Sequence, residues 1–179
     1  MKTLCFAAWL ASALAFACAA CGYAPVHSAA GVERLAVALV ESKVPDAVAT
    51  DEVLAGVREE LARAGALAPG GGYPRCEVEV VRLDEASEGI AAVPGADGRL
   101  VPESRAARVG IVARAWVRRA PGADPERDTG DVRVLETVEV AAEARAAGSR
   151  HSDALRSAGR RLGRRLAARL LGLPAPTEP

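Results

Sequence analysis

Apolar residues occupy every second position of one stretch, residues 107–117, and this alternation restricts the possible folds more than any other feature. The row consists of Ala107, Val109, Ile111, Ala113, Ala115 and Val117. A period of two is typical of a β-strand with one buried face. The intervening positions include Arg108, Arg114, Trp116 and Arg118. We therefore expect a sheet with one apolar and one charged face, which antiparallel sheets commonly tolerate.

Three further stretches alternate in the same way, and two others have helical spacing. The predicted strands are residues 34–41, 75–83 and 132–142, in addition to 107–117. The predicted helices are residues 50–64, with Thr50 as the N-cap, and residues 152–171, with Ser152 and Asp153 at the start. The order β-α-β-β-β-α predicts an α+β fold, with two amphipathic helices on one face of a four-stranded, mostly antiparallel sheet.

Two local irregularities refine these boundaries. Val81 and Leu83 leave the alternation of their strand, which indicates a bulge or burial of both faces. Residues 84–103 contain Pro94, Gly95, Gly98 and Pro102, so we predict a long loop with a turn in its middle. Cys76 lies in an apolar row and is predicted to be a small core residue.

The first twenty residues have the pattern of an export signal. Lys2 supplies a positive charge, and the following residues up to Ala20 contain no charged residue, proline or glycine. An uncleaved membrane anchor is the alternative interpretation, because about 18 apolar residues can span a bilayer. The sequence Cys18-Ala19-Ala20-Cys21 resembles the bacterial lipobox, with Cys18 where Leu is commonest, and predicts cleavage before Cys21 and acylation of its thiol. Cys18 is the less favoured alternative, because the bulky Phe16 lies near that cut. We expect residues 21–31 to be a tether, residues 32–173 a single domain and residues 174–179 a frayed tail.

Reactive side chains are scarce in the predicted mature chain. The 179-residue chain has two His and a formal net charge of zero, and Phe6, Trp9 and Phe16 lie in the predicted signal. His27 and His151 fall in segments without a clear pattern, and no metal-ligand spacing is present. The sequence predicts neither an enzyme nor a cofactor or metal site. With few aromatic residues and little net charge, it also predicts no nucleic-acid binding.

The lipobox-like Cys21, followed by Gly22-Tyr23, and the predicted element order resemble the lipopolysaccharide-assembly lipoprotein family, LptE. That family often begins its mature chain with Cys-Gly and an aromatic residue, and places two helices on a four-stranded sheet. Glu41-Ser42 stands where the family usually continues its first strand with Pro-Phe-Glu-Asn. The resemblance implies a non-enzymatic, lipid-anchored protein on the periplasmic side of the outer membrane. Such a protein assists and plugs the LptD β-barrel and contacts lipopolysaccharide.

Arginines are the candidate ligand-binding residues, because guanidinium groups bind phosphates through charge-assisted contacts. Residues 150–171 carry seven basic residues and one acidic residue. The candidates are Arg114 and Arg118 on the predicted strand, with Trp116 as an exposed anchor, and Arg160 and Arg164 on the last helix. The alternatives are a solvated helix face and strand arginines that pair with Glu139 and Glu143. Another outer-membrane accessory role, as a peptidoglycan-synthase activator or a secretion-pore subunit, also stays open.

Overall fold

The structure is a computed structural model that describes residues 33–139 and 144–176. Its elements are β1 (Ala36–Ser42), α1 (Ala47–Arg63), β2 (Arg75–Pro94), β3 (Leu100–Arg118), β4 (Val132–Glu139) and α2 (Ala144–Leu170). The order β-α-β-β-β-α and the α+β class are as predicted. The proposed signal, Cys21 and the tether lie outside the described residues, as do Val140, Ala142 and Glu143.

The four strands form one sheet in the order β1-β2-β3-β4. β1 and β2 are parallel, as expected for strands joined through the helix α1, and β2, β3 and β4 are antiparallel to their neighbours. The apolar rows share the inner face, where Cys76, Val78, Ile111, Ala113 and Ala115 are fully buried. The register of β2 on β3 shifts between Val80 and Arg82, which confirms the predicted bulge.

The first helix begins earlier than predicted. Asp46 is the N-cap, and its carboxylate accepts a hydrogen bond from the amide of Ala49 at 2.9 Å. Thr50 lies inside the helix instead, and its hydroxyl group contacts that of Ser42 at 2.9 Å. The helix ends as predicted, because Gly65 adopts a φ of 69°, a left-handed conformation that favours glycine.

The two helices pack against each other through glycines. A Cβ atom at Gly163 would overlap the carbonyl oxygen of Val53 and lie 2.7 Å from the amide nitrogen of Val57. A Cβ at Gly56 would meet the backbone of Arg160 in the same way, and one at Gly159 would lie 3.0 Å from the carbonyl oxygen of Ala49. Ala49 lies beside Gly159 and Val57 beside Gly163, so α1 and α2 run in the same general direction. The ion pairs Glu52–Arg160 and Glu59–Arg164 follow the same order.

Residues 84–103 are mostly strand, so the predicted long loop is wrong. β2 and β3 pair without a further register shift from Arg82↔Val112 to Pro94↔Leu100 and form one long hairpin. The predicted turn is present, since Gly98 donates to the carbonyl of Gly95 at 2.9 Å. Among the described residues, β1 pairs with β2 up to Val80, and β4 pairs with β3 from Ala106. The outer part of the hairpin is therefore two-stranded in the part of the chain that the structure describes.

The final helix begins at Ala144, not at Ser152. His151 accordingly lies in a helix, not in a weakly structured segment. The predicted apolar stripe is confirmed, because Leu155, Leu162, Leu166 and Leu170 are all buried. The early start could not be read from the apolar pattern, since residues 144–151 contain no large apolar residue.

Candidate functional site

The outer face of the sheet carries a buried carboxylate, Glu77, whose side chain is only 2% exposed. One carboxylate oxygen accepts hydrogen bonds from the Trp116 Nε1 group at 2.7 Å and the Arg118 Nε group at 2.8 Å. The other oxygen lies 2.7 Å from both Nε and Nη2 of Arg75. These four contacts use the accepting capacity of the carboxylate.

A second buried carboxylate, Glu79, lies two residues further along β2. It contacts Lys43 Nζ at 2.7 Å through one oxygen, and the Nε and Nη2 groups of Arg114 at 2.8 and 2.6 Å through the other. The Arg114 guanidinium also lies over the Trp116 ring, at 5.7 Å from its centroid. The two carboxylates and their donors form what we call the outer-face network, Lys43, Arg75, Glu77, Glu79, Arg114, Trp116 and Arg118.

Both carboxyl groups are held ionised by this network. Burial raises the pKa of Glu77, but the hydrogen bonds from Arg118, Arg75 and Trp116 outweigh it, and the net pKa lies below its usual value. The pKa of Glu79 is also lowered, first by the hydrogen bond from Lys43 and then, against the opposing effect of burial, by Arg114. The outer-face network contains four cationic groups and two carboxylates, so its net charge is +2.

Arg114 and Arg118, two of the predicted ligand-binding residues, are therefore part of an internal network. Their acidic partners among the described residues are Glu79 and Glu77 on β2, and not Glu139, which the alternative interpretation named together with Glu143. The difference arises from register, because Glu139 pairs with Ala106, far along β3 from Arg114. Trp116 is 8% exposed, so its predicted role as an exposed anchor is wrong.

Arg160 and Arg164, the other two candidates, pair with acidic residues of α1. Arg160 Nε lies 2.9 Å from Glu52, and Arg164 Nη1 lies 3.7 Å from Glu59. Arg161, which follows Arg160 in the chain, forms an ion pair with Glu136 of β4. The basic face of α2 is thus partly neutralised by its neighbours. Arg160 remains about half exposed (52%), and Arg164 is 25% exposed.

Glu136 interrupts an otherwise apolar row of β4, and its carboxylate is partly accessible to water. Its side chain is 22% exposed and accepts a hydrogen bond from the Ser157 hydroxyl at 2.8 Å, in addition to the ion pair with Arg161. These contacts tie β4 to α2. The carboxylate therefore has a structural explanation.

A shallow groove of about 480 Å³ adjoins the outer-face network, and sequence reasoning missed it. Arg75, Glu77 and Arg118 contribute to its lining, together with three residues of β1, Ala38, Leu39 and Val40. Tyr73 lies at its rim, with the Arg75 guanidinium 4.4 Å from the ring centroid. The alternation of Arg114, Trp116 and Arg118 on β3 signalled the charged face in the sequence, but it did not indicate the groove.

Within residues 33–139 and 144–176, no group of three or more His, Cys, Asp or Glu side chains could hold a metal ion. No helix in the same ranges is both long and apolar enough to cross a membrane. Cys76 is buried as predicted, and burial raises the pKa of its thiol to about 12, so this cysteine is a poor nucleophile.

No protein-family model and no curated protein matches the sequence. Solved structures give partial matches to the fold. A lipoprotein of Caulobacter crescentus CB15 has a TM-score of 0.46 at 13% identity, over 76% of this chain and 88% of that one. The minor lipoprotein of Acinetobacter baumannii has a TM-score of 0.44 at 9% identity, over 76% and 93%.

Rare lipoprotein B of Shewanella oneidensis has a TM-score of 0.41 at 13% identity, and the match covers 76% of this chain and 91% of that chain. All three proteins are described as lipoproteins. At these scores the likeness carries no functional argument. The fold assignment rests on the strand order and the packing of the two helices.

Proposed function

We propose that this protein is a non-enzymatic outer-membrane lipoprotein, anchored through Cys21 on the periplasmic side. In this proposal it assists the assembly of an LptD-like β-barrel, plugs its lumen and contacts lipopolysaccharide on its way to the cell surface. The observation that carries the proposal is the β-α-β-β-β-α order with two helices against a four-stranded sheet. That arrangement is the one implied by the resemblance to the LptE family.

The charge pattern of the surface supports a role inside a polar barrel. The lumen of an outer-membrane barrel is polar, so a plug needs a hydrophilic surface around a rigid core. Here arginines on both the sheet and α2 are paired with carboxylates from neighbouring elements, as in Arg114–Glu79 and Arg160–Glu52. Such a surface is polar without a large unbalanced charge.

The exposure of the four arginines ranks them for contact with lipopolysaccharide phosphates. Arg114 and Arg160 have side chains that are 43% and 52% exposed, whereas Arg118 and Arg164 are 22% and 25% exposed. A phosphate reaches the first pair more readily, because half of each side chain already contacts water. We therefore propose Arg114 and Arg160 as the principal phosphate contacts.

Depletion of the protein tests the proposed function directly. We expect less lipopolysaccharide at the cell surface and incomplete maturation of LptD, since both depend on an assembled translocon. Normal values of both quantities would contradict the proposal. A peptidoglycan-synthase or a ring-forming secretion pore as the co-purifying partner, in place of a β-barrel, would favour the alternative accessory roles.

The anchor is tested by fractionation of a Cys21→Ala variant. We expect the variant to leave the membrane fraction, because multiple acyl chains provide stable anchoring and their removal abolishes it. Cys18→Ala is the matched control, since this cysteine precedes the predicted cleavage site, and it should remain in the membrane fraction. Identical partitioning of Cys21→Ala and the unaltered protein would disprove anchoring at Cys21.

A further inference from the structure

Within residues 33–139 and 144–176, another segment pairs with the outer edge of β1 only at its beginning. The Leu35 amide donates to the carbonyl of Ala66 at 2.8 Å, and the Ala68 amide donates to the carbonyl of Leu35 at 2.9 Å. These bonds form an isolated parallel bridge between Leu35 and Leu67. The next donor of such a ladder would be Gly70, whose φ of 79° lies outside the range of a β-strand, so the pairing stops there.

Beyond Leu35 the edge of β1 is open in the described part of the chain. The Ala36 amide donates toward β2, to the carbonyl of Pro74 at 3.1 Å. Because backbone groups alternate in direction along a strand, those of Val37 and Leu39 point to the open edge. Leu39 and Val40 are also exposed, at 43% and 52%. An open edge with exposed apolar residues is a template for another strand.

The groove beside this edge determines which side chains an added strand could carry. Its β1 side is apolar, formed by Ala38, Leu39 and Val40, and its other side carries Arg75 and Arg118. Glu77 already accepts four contacts, and one further Arg118 donor contacts the Ala123 carbonyl, so both arginines keep guanidinium donors beyond the accepting capacity of Glu77. The charged residues that line the groove are Arg75, Arg118 and Glu77, with a net charge of +1, which favours an anionic group there.

We propose that the open edge of β1 binds an extended acidic peptide segment of a partner protein as a fifth strand. Backbone hydrogen bonds to Val37 and Leu39 supply the affinity, and acidic side chains at alternate positions face the groove and select the sequence. A second copy of this chain fits less well, because symmetric pairing of two β1 strands brings two positive networks together. The inference goes beyond the proposed function and can fail without affecting it.

The test uses the full chain in detergent micelles and a fluorescent, end-blocked peptide of alternating Val and Glu. Fluorescence anisotropy measures its affinity against that of a matched peptide of alternating Val and Lys. We expect the acidic peptide to bind at least about tenfold more tightly, with the difference shrinking at high salt. Methylation of alternate backbone amides of the peptide should abolish binding, because these amides form the ladder.

Leu39→Pro removes one edge donor of β1 without removing a bond to β2. We expect it to weaken binding of the acidic peptide by roughly tenfold, since one backbone hydrogen bond contributes about 1 kcal/mol and proline also hinders approach. Leu39→Ala is the matched control, because it keeps the amide, and its affinity should stay within about threefold of the wild type. Thermal unfolding verifies that both variants are folded.

Four results would overturn the proposal. They are no binding of the acidic peptide, equal affinity for the acidic and basic peptides, an unchanged affinity in a folded Leu39→Pro variant, and a wild-type dimer that Leu39→Pro dissociates. The last result, measured by analytical ultracentrifugation, would assign the edge to a second copy.

Discussion

Among single residues, Glu77 shows how an arginine predicted to bind an external ligand can pair with a carboxylate of the same protein, as Arg118 does. The row of Arg114, Trp116 and Arg118 indicated a basic face, but the donors converge on two carboxylates of β2. A buried carboxylate without these donors would be strongly disfavoured, so the pairs are mutually required. The network thereby stiffens the charged face of the sheet.

Substitution of Glu77 by Gln should lower the free energy of unfolding at pH 7 by roughly 3 kcal/mol, because Arg75 and Arg118 lose the charge that binds them. The pKa of Glu77 is lowered in the folded state, so its contribution is complete above the unfolded pKa of about 4.3 and is lost as pH falls toward the folded value. Urea unfolding at pH 7 and below pH 4 should therefore show a smaller difference at acidic pH.

Glu41→Gln is the control for that measurement. Glu41 is 58% exposed and lies 3.9 Å from Lys43, so its removal should change the free energy of unfolding by less than about 0.5 kcal/mol. Equal effects of the two substitutions, or a Glu77→Gln effect that does not diminish in acid, would contradict the assigned role of the network.

At the scale of elements, the contact between α1 and α2 depends on the absence of side chains. Gly56, Gly159 and Gly163 let the two backbones approach, and the ion pairs Arg160–Glu52 and Arg164–Glu59 lie across the same pair of helices. The apolar stripe predicted both helices and their buried faces. It did not predict the distance between the two helices, because the sequence does not show which backbone atoms of the other helix a glycine contacts.

Gly163→Ala should destabilise the protein by about 2 kcal/mol. The new methyl group would overlap the backbone of Val53 and Val57, and this overpacking outweighs the gain in helix propensity of up to about 1 kcal/mol. Gly148→Ala in the same helix is the control, because a Cβ atom there meets nothing within 4 Å. Gly148→Ala should be neutral or stabilising in thermal unfolding, and equal melting temperatures for the two variants would refute the tight contact.

Other elements show where the sequence pattern was insufficient. The inner rows of β2 and β3 were predicted because apolar residues at every second position are buried. Residues 84–103 were predicted as a loop, since their glycines, prolines and short side chains carry no regular pattern, yet pairing between the two backbones forms the hairpin. Asp46 likewise lies before the predicted start of the first helix at Thr50, although its carboxylate caps α1.

At the scale of the whole molecule, the candidate site depends on contacts between residues far apart in the chain. Arg118 and Glu77 are joined across the β2–β3 ladder, and Arg160 and Glu52 are joined across the two helices. Residue types were visible in the sequence, but register and helix separation decide which charges meet. This is why the fold class could be predicted while the partners of the four arginines could not.

The uneven width of the sheet should be visible in amide hydrogen exchange. Amides of Ile111 and Val112 lie where β3 is flanked by both β2 and β4, whereas Val93 and Val101 lie in the two-stranded part of the hairpin. We expect the central amides to be protected at least about 100-fold more than the outer ones, because the hairpin can open locally. Uniform protection along β3 would contradict this division.

The long hairpin also has a mechanical consequence. Its outer part is held by one ladder of hydrogen bonds and ends in Leu100 and Val101, which are 69% and 43% exposed. A load applied at this tip would break the bonds one pair at a time, whereas a load along the strands at the centre of the sheet would break many at once. We therefore expect the outer part of the hairpin to open at a lower force than the four-stranded centre of the sheet. This part can change its shape while the core stays folded.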